Sequence, residues 1–482
     1  MVPDNSDKTT NSKHQYVPVA DFYKGKTIFI TGGTGFLGKA IIEKLVYSCS
    51  DIKKIYVLTR EKKDMTIIQR FEKLLQEPVF ARLRNEKADV LKKIVPIQGD
   101  ITLPDLGMKS EDEELLINEV SVVIHSAAIV KFNDILRNAL LSNVEGTRKI
   151  LELSKRMKAI EVFVYISTAY SHTDQKILEE KMYLNTIELS KAKNYAEEHY
   201  ITGGSDEDMM KFIKDQPNTY TFTKALAETL VERNRGDLPT IIIRPSIITS
   251  SFREPTPGWV DNWSGATGII VPINFGVNKV LRTKNNVVLD IIPVDYVSNL
   301  TLIAISRYNN CSWIDSTLCL FISCFSGLTV YHSCTSSINP LTMKKFVQLG
   351  QQYTYENGFG EISPKFVTIY LTKYKCVVDL ITFILQTNPS HLADLWLKIL
   401  GKRTKYVKFQ KRALMVREAL SYFTMNTWEM KCDQSRQLYE SLSSEDQATF
   451  RCDPKDIDWK EYIFTYCKGI ETFLLKRTAL SK

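Results

Sequence analysis

Apolar, β-branched runs alternate with segments of helical periodicity over the first 300 residues of the chain. Six of these runs are predicted as strands because each is apolar on both faces; they begin at Thr27, Ile55, Ile94, Ser121, Glu161 and Thr240. Strands of this kind, separated by helices, predict a mostly parallel sheet that is covered on both sides. The functional residues of such a sheet are expected at the carboxyl ends of its strands.

The alternation fades after about residue 300, and from about residue 340 the pattern is helical. We therefore predict an α/β fold, in which a Rossmann-like doubly wound parallel sheet over residues 20–340 precedes a smaller, mainly helical C-terminal domain over residues 360–477. Loop signals place the boundary between residues 335 and 365. Residues 1–19 are predicted to form a disordered tail.

Two apolar segments, Leu318–Tyr331 and Val377–Leu400, raise the question of a membrane. Neither provides the roughly 18 unbroken apolar residues that a spanning helix needs. Contact with a bilayer surface is open to both, but we favour the interpretation that they are buried core segments.

Composition narrows the classes of function. A hydrophobic fraction of 44% and a charged fraction of 24% are typical of soluble globular proteins. The net charge of +8 is spread along the chain, which argues against a nucleic-acid partner. The nine cysteines and six histidines lack metal-site spacing, so no metal is predicted. Without a signal peptide, reduced thiols in a cytosol-facing, non-secreted protein are expected.

The first predicted strand runs directly into a glycine-rich turn, Thr31–Gly38, and then into a helix that starts near Phe36. Gly32 allows a tight turn, Gly35 lets the backbone approach a pyrophosphate, and Gly38 lets the helix pack closely. The helix N-terminus supplies N–H groups and a positive dipole end for an anion. We predict a dinucleotide site rather than a purely structural turn, with the residues of the turn and the first helical turn as ligands: Gly32, Thr34, Gly35, Phe36, Leu37 and Gly38.

The residue at the tip of the second strand indicates which dinucleotide binds. An acidic residue there would accept from a free ribose hydroxyl, whereas a basic residue pairs with a 2′-phosphate. This chain has Arg60 at that position, followed by Lys62 and Lys63, and we therefore predict NADP(H). The alternative is that Arg60 is only an exposed charge that follows a strand. Asp100, at the end of the third strand, is suited to accept from the adenine amino group, although it could equally cap a helix.

Tyr220 and Lys224 are four residues apart, so on a helix they share one face. A nearby ammonium stabilises a phenolate and would lower the pKa of Tyr220, making it a usable acid–base group. The lysine could also hold the nicotinamide ribose. Ser167 and Thr168 end the fifth strand, where a hydroxyl can bond a substrate carbonyl oxygen. Because adjacent strand residues point to opposite faces, we expect only one of these two to face the site.

These features occur in the order found in extended short-chain dehydrogenases/reductases, which the chain resembles. In more detail it resembles the alcohol-forming fatty acyl-CoA reductases, particularly those of insects, over about residues 20–477. The motifs that carry this resemblance are Thr31–Gly38, Ile55–Arg60, Ile166–Ser171, Pro217–Glu228, Ile243–Ile247, Glu254–Trp259, Ile292–Val297, Phe450–Trp459 and Tyr462–Gly469.

The resemblance implies NADPH-dependent reduction of a long-chain fatty acyl-CoA through an aldehyde to a primary alcohol. It implies Tyr220 as proton donor, Lys224 as its activator and ribose ligand, and Thr168, in preference to Ser167, as the carbonyl-binding hydroxyl. Asn143 matches an asparagine that organises the helix and a proton-relay water next to the cofactor, and His125 is implied to be structural or cofactor-flanking.

The resemblance leaves open a surface association with the endoplasmic reticulum or peroxisome membrane, and it does not indicate an oligomeric state. Two rival functions use the same features. One is an extended reductase or epimerase that acts on a sugar nucleotide or steroid. The other is a non-catalytic nucleotide-binding module, against which the intact Tyr220, Lys224 and Ser167–Thr168 argue.

Overall fold

The computed structural model describes residues 16–61, 64–132, 134–214, 216–308, 327–360 and 368–476. Some sequence predictions fall outside these ranges: most of the predicted tail, the additional charge of Lys62 and Lys63, and three cysteines, Cys311, Cys319 and Cys324. The six described cysteines are free thiols.

All six predicted strands form, and further strands join them. In chain order the strands are β1 Thr27–Thr31, β2 Lys54–Thr59, β3 Ile94–Gln98, β4 Val122–His125, β5 Val162–Ile166, β6 Ile177–Leu178, β7 Thr240–Pro245, β8 Ile247–Thr249, β9 Val280–Arg282, β10 Ile291–Pro293, β11 Leu328–Ser333, β12 Tyr370–Thr372 and β13 Glu429–Met430.

Seven strands form one parallel sheet in the order β11-β7-β5-β4-β1-β2-β3. From β1, the strands β2 and β3 follow in order toward one edge of the sheet. The chain then crosses to the other side of β1, where β4, β5 and β7 follow in order toward the opposite edge. This reversal between β1 and β4 opens a crevice at the carboxyl ends of the strands, which is where ligands bind in doubly wound folds. The predicted fold class is confirmed.

Helices cover both faces of the sheet, as the doubly apolar strands require. In chain order they are α1 Val19–Phe22, α2 Phe36–Ser48, α3 Ile67–Leu75, α4 Ala81–Glu86, α5 Ser110–Glu119, α6 Leu136–Leu140, α7 Gly146–Arg156, α8 Leu189–Thr202, α9 Asp206–Ile213, α10 Thr219–Asn234, α11 Ala266–Asn274, α12 Val294–Arg307, α13 Met343–Asn357, α14 Lys375–Thr382, α15 Asn388–Ile399, α16 Tyr406–Ala419, α17 Ser421–Met425, α18 Asp433–Glu440, α19 Ser444–Thr449 and α20 Trp459–Gly469.

Successive residues of β1 enter different cores, because side chains alternate across a strand. Ile28 and Ile30 pack into the core under α2 and α12, and Phe29 packs into the core under α7 and α10. The first of these cores also contains Trp459 and Tyr466 of α20. The helical C-terminal part therefore shares its hydrophobic core with the sheet.

Two glycines bring the C-terminal part into backbone contact with the sheet domain. A Cβ on Gly469 of α20 would lie only 1.8 Å from the carbonyl oxygen of Gly258, so nothing larger than hydrogen fits there. Nearby, the Tyr462 hydroxyl donates to the Ser250 carbonyl at 2.8 Å. These contacts give a structural reason for two of the motifs, Glu254–Trp259 and Tyr462–Gly469.

The chain is anchored from Tyr16 onward. The Tyr16 hydroxyl donates to Asp446 at 2.5 Å, and the backbone N–H of Val19 donates to the same carboxylate oxygen at 2.9 Å. Val19 is fully buried. Tyr16–Val19, which the sequence placed in a disordered tail, is therefore ordered, and the remaining domain limits stay predictions.

The two apolar segments of the sequence, Leu318–Tyr331 and Val377–Leu400, form structures that were not predicted. The end of the first segment forms β11, a seventh strand that pairs in parallel with β7 at the edge of the sheet. The second segment forms α14, a π-helical turn at Phe383–Thr387 and α15, which together with α16 make a helical hairpin, Lys375–Ala419. The prediction that this segment is buried is wrong, because much of its apolar surface is exposed. Within the described ranges, every helix falls short of the length and apolarity that crossing a bilayer requires.

Candidate active site

A cavity of about 580 Å³ opens at the carboxyl ends of β1, β4, β5 and β7. The predicted site residues converge on it from distant parts of the sequence, because parallel strands end at the same edge. Those that line it are Gly32, Thr34, Gly35, Phe36, Leu37, Gly38, Arg60, Asp100, Ser167, Thr168, Tyr220 and Lys224.

The glycine turn has the geometry that the sequence predicts. Gly32 has a φ of +74°, and a Cβ there would lie 2.6 Å from the Ala127 nitrogen on the neighbouring strand end. A Cβ on Gly38 would lie 2.3 Å from the Gly32 carbonyl oxygen, so α2 packs directly on the turn. A Cβ on Gly35 would meet only the Gly32 carbonyl oxygen, at 3.2 Å, and its other side is open to the cavity.

The N-terminus of α2 is suited to an anion. Gly35 is its N-cap, and no side chain caps the first turn, which lines the cavity with Phe36, Leu37 and Gly38. The first N–H groups of a helix have no partner within the helix and carry its positive dipole end. A pyrophosphate fits this cradle, in which glycine backbone and helix terminus face the same space.

Two arginines stand where the second strand ends. Arg60 lies next to Asp100, with 3.6 Å between Nη1 and Oδ2, and its side chain is 66% exposed. Arg70, in the first turn of α3, donates from Nη2 to the Thr34 hydroxyl at 3.3 Å and from Nη1 to the Arg60 carbonyl. Burial, and then the neighbouring Arg60, lower the pKa of Arg70.

Arg70 was not predicted as a site residue. The sequence does show a basic residue in the helix that follows Arg60. Helix periodicity alone does not show that this side chain turns back toward the end of the strand. An anion placed between the two guanidinium groups would relieve their mutual repulsion.

Asp100 does not cap a helix, since the N-cap of the helical turn that follows β3 is Leu103. Its Oδ1 accepts from the Thr102 N–H at 2.9 Å and the Thr102 hydroxyl at 2.8 Å, which closes the turn after β3. Its other oxygen faces Arg60, and the residue lines the cavity. Contact with an adenine amino group stays a prediction.

Tyr220 and Lys224 lie on α10, whose N-cap Asn218 accepts from the Thr221 N–H at 2.9 Å. Lys224 is buried and donates from Nζ to the Ile166 carbonyl at 2.6 Å. Burial lowers the pKa of Lys224 to about 7, against the opposing effect of Glu228.

The expected lowering of the Tyr220 pKa is not found in this arrangement. Burial raises the pKa of Tyr220 to about 12, and the hydrogen bond with Thr168 opposes that rise. Lys224 does not contribute because its ammonium is directed at the end of β5. The phenol is therefore held protonated, as a proton donor must be before the reaction.

The expectation that only one hydroxyl of Ser167 and Thr168 faces the site stays a prediction. Both residues line the cavity, so strand alternation does not decide which one it is. The reason is that β5 ends at Ile166, and the strict alternation of a strand ends with it. Thr168 contacts Tyr220, as noted above. Among the described residues, no partner lies within hydrogen-bond distance of the Ser167 hydroxyl, and its oxygen is fully buried.

Asn143 does not line the cavity and so does not fit its predicted place among the cofactor ligands. Its Nδ2 donates to the Ile129 carbonyl at 3.1 Å and to the Thr223 hydroxyl at 3.0 Å, and its Oδ1 accepts from the Ile129 N–H at 2.8 Å. It lies in the π-helical turn Leu141–Glu145. Asn143 therefore positions α10 against the cavity wall, which agrees with the organising role that the resemblance implies.

His125 is structural, as predicted. Its Nδ1 lies 2.6 Å from the Thr31 hydroxyl and its Nε2 lies 2.9 Å from the Thr147 hydroxyl. Burial, and then Lys224, lower the pKa of His125 to about 3, which keeps the ring neutral.

A buried ion pair supports the catalytic helix from behind. Glu228, one turn after Lys224, accepts from Arg244 of β7 at 2.9 Å from Nε and 2.7 Å from Nη2, and both side chains are fully buried. His172 Nε2 lies 3.0 Å from the same carboxylate. Although burial opposes its ionisation, Arg244 and His172 hold the pKa of Glu228 well below its usual range.

Comparison with known proteins identifies the family of the chain. A family model described as male sterility protein, for an NAD-binding region, matches residues 30–301, and a second model of that description matches residues 385–477. Fatty acyl-CoA reductase 1 of Mus musculus and that of Homo sapiens are each 34% identical over 460 residues, covering 95% of this chain and 86% of the relative. The chain belongs to the fatty acyl-CoA reductase family.

Fatty acyl-CoA reductase 2 of Bos taurus is a further relative, 34% identical over 465 residues and covered to 86%. Among solved structures, the terminal R domain of the myxalamid PKS-NRPS pathway matches with a TM-score of 0.61 at 20% identity, over 93% of this chain and 91% of that one. The R domain of a nonribosomal peptide synthetase from Mycobacterium tuberculosis matches with a TM-score of 0.61 at 17% identity, over 95% and 99%. These two likenesses show the shared fold.

In this member of the fatty acyl-CoA reductase family, the C-terminal part contributes directly to the cavity, although the sequence assigned it no site residue. Leu420 and Phe423, just after α16, line the wall. The Phe423 ring lies 5.6 Å from that of Phe132, which in turn stacks on Tyr220 at 6.0 Å. No local motif marks these residues, because their role depends on how the two parts of the chain pack.

Proposed function

We propose that this chain reduces a long-chain fatty acyl-CoA with NADPH to the aldehyde and then to the primary alcohol, releasing coenzyme A. The observation that carries this proposal is that Tyr220, Lys224, Thr168 and Ser167 share one cavity with the glycine turn. Family membership adds the acyl-CoA substrate class.

The residues at the second strand favour NADPH as the dinucleotide. Arg60 and Arg70 would hold the 2′-phosphate, the N-terminus of α2 would hold the pyrophosphate, and Lys224 would hold the nicotinamide ribose. When bound, the cofactor supplies the hydride for each of the two reductions.

The side chains of the chain itself handle the substrate oxygen. Thr168 donates a hydrogen bond to the thioester carbonyl, which stabilises the negative charge that develops there on reduction. Collapse of the resulting hemithioacetal expels coenzyme A and leaves the aldehyde. In the second reduction Tyr220 gives its proton to the oxygen, and the product is the alcohol.

The cavity wall supports an acyl chain in preference to a sugar nucleotide. Apolar and aromatic side chains form the part of the wall near Tyr220; they are Ile129, Val130, Phe132, Tyr170, Ile247, Ile248, Leu420 and Phe423. Such a lining matches a hydrocarbon chain.

Replacement of Tyr220 by Phe tests the proposal. We expect alcohol formation from palmitoyl-CoA to be lost, because the proton donor is gone, while NADPH fluorescence still reports binding. Tyr200→Phe, on the exposed face of α8, is the matched control and should retain full turnover. Unchanged alcohol formation by Tyr220→Phe would refute the assignment.

Residence at the endoplasmic reticulum or peroxisome surface stays a prediction that imaging of a tagged chain can test.

A further inference from the structure

The helical hairpin Lys375–Ala419 buries several polar residues between its helices and exposes many large apolar ones. Buried between its helices lie Thr382, Gln386, Gln410 and Arg417. Gln410 donates to Gln386 at 3.1 Å, and Arg417 donates to Thr382 at 2.9 Å. A helix pair that faces only water has the opposite arrangement, with an apolar seam and a polar outer surface.

The outer surface of the helical hairpin is a continuous apolar stripe. Its most exposed members are between 55% and 67% accessible: Leu380, Phe383, Leu392, Leu395, Trp396 and Ile399. Around α15 they recur at intervals of three or four residues, which places them on one face of the helix. An apolar patch of this extent on a protein surface indicates a binding face.

Basic residues dominate the segment that follows this stripe along the chain. Residues 398–417 contain eight lysines and arginines and no aspartate or glutamate. Lys402, Arg403 and Lys405 lie exposed in the turn between α15 and α16, and Lys408 and Arg412 continue the basic edge along α16. Long basic side chains beside an apolar face suit the boundary between acyl chains and anionic headgroups.

We propose that the helical hairpin docks in one leaflet of an anionic bilayer. Its apolar stripe enters the acyl region, its basic turn contacts the headgroups, and its buried polar pairs stay between the helices, away from lipid. A second copy of the chain fits less well. A two-fold interface would bring the same basic edges of the two copies together, and the like charges would repel.

The position of the helical hairpin relative to the cavity agrees with a lipid partner. α16 leads directly into the segment that supplies Leu420 and Phe423 to the cavity wall. The face that we assign to the bilayer is thus continuous in sequence with the wall that we assign to the acyl chain.

Vesicle flotation of the full chain tests the docking surface. We expect binding to phosphatidylcholine vesicles that contain about 30 mol% phosphatidylserine, weaker binding to phosphatidylcholine alone, and loss of the difference at about 0.5 M salt. The variant Leu395→Glu/Trp396→Glu/Ile399→Glu should lower binding at least about tenfold, since charged groups resist entry into the acyl region. The control Tyr200→Glu/Ile201→Glu alters an exposed apolar pair on α8 and should bind as the unaltered chain does.

Circular dichroism and turnover of a short, water-soluble acyl-CoA establish that the triple variant is folded. If it is not folded, Lys402→Glu/Arg403→Glu/Lys405→Glu in the exposed turn replaces it, with the same expected loss on the anionic vesicles. Failure of the unaltered chain to bind these vesicles, or equal binding by the variant, overturns the proposal. So does a dimer in light scattering that the triple variant dissociates without any lipid binding. Flotation needs no turnover, so its result is independent of the proposed reduction.

Discussion

The region around the cavity and the helical hairpin both bury polar groups, but they differ in where their apolar side chains lie. At the sheet, Glu228 and Arg244 are enclosed by apolar strands and helices, and every apolar residue of β5 is covered. In the helical hairpin the interior contains amide and hydroxyl pairs, and the leucines face outward. The first region is built to hold a reaction in a fixed geometry, and the second to present a surface.

This difference shows that the amphipathicity of a helix does not predict whether its apolar face is buried. Apolar periodicity shows that a helix has one apolar face, but it does not show what covers that face. For α12 the cover is α2 and the sheet, whereas for α15 the described residues leave the face open. The following predictions test the contrast, from the largest expected effect to the smallest.

Replacement of Glu228 by Gln should give the largest loss of stability, about 3–5 kcal/mol in the free energy of unfolding, because it leaves Arg244 buried without a counter-charge. Denaturant unfolding measures it. The matched change in the helical hairpin is Asp379→Asn, which removes the exposed pair with Lys375 and should leave the midpoint unchanged. Equal losses in the two variants would remove the contrast between the regions.

The same carboxylate predicts a pH dependence. Since the folded pKa of Glu228 is lowered from its ordinary value of 4.5, its contribution is present above that value and is lost as the pH falls below it. Stability of the unaltered chain should therefore decrease as the solution becomes more acidic than about 4.5, and Glu228→Gln should lack this part of the decrease.

Truncation of one apolar side chain in each region compares their surroundings directly. Ile243→Ala in β7 removes a fully buried side chain and should lower the free energy of unfolding by about 2–5 kcal/mol. Leu395→Ala in α15 should change it by less than about 0.5 kcal/mol. A loss of more than about 2 kcal/mol at Leu395 would mean that protein covers the stripe in solution.

The smallest effects are expected from the arginines. Arg60→Ala and Arg70→Ala should each raise the KM for NADPH about tenfold, since each removes a charged hydrogen bond to the 2′-phosphate, and should change the KM for NADH little. Arg412→Ala in the helical hairpin is the control and should affect neither. Steady-state kinetics with each cofactor measures these KM values. If Arg60→Ala raised the KM for NADH as much as that for NADPH, the proposed role of Arg60 would be contradicted.

Local patterns were sufficient to predict the sheet and most of the site. Thr31–Gly38 specifies a strand, a turn and a helix within a few residues, and the spacing of Tyr220 and Lys224 needs only a helix. Their convergence follows from the rule that parallel strands end at one edge.

The residues that were missed or misplaced depend on long-range packing. Arg70 of α3, which packs against β3, reaches Thr34, and Phe423 reaches Phe132 across almost 300 residues of sequence. Neither contact leaves a periodic trace. The Tyr220 pKa was predicted in the wrong direction because Lys224 bonds the end of β5 instead of the phenol.

The contact between Gly258 and Gly469 has a consequence for how this protein could have evolved. Because the backbones meet with no room for a side chain, the sheet domain and α20 must be inherited as a matched pair. Exchange of the C-terminal part for that of an unrelated reductase would place a bulky residue against Gly258 and separate Phe423 from the active site. The two parts are therefore a single structural unit, although the sequence matches two family models.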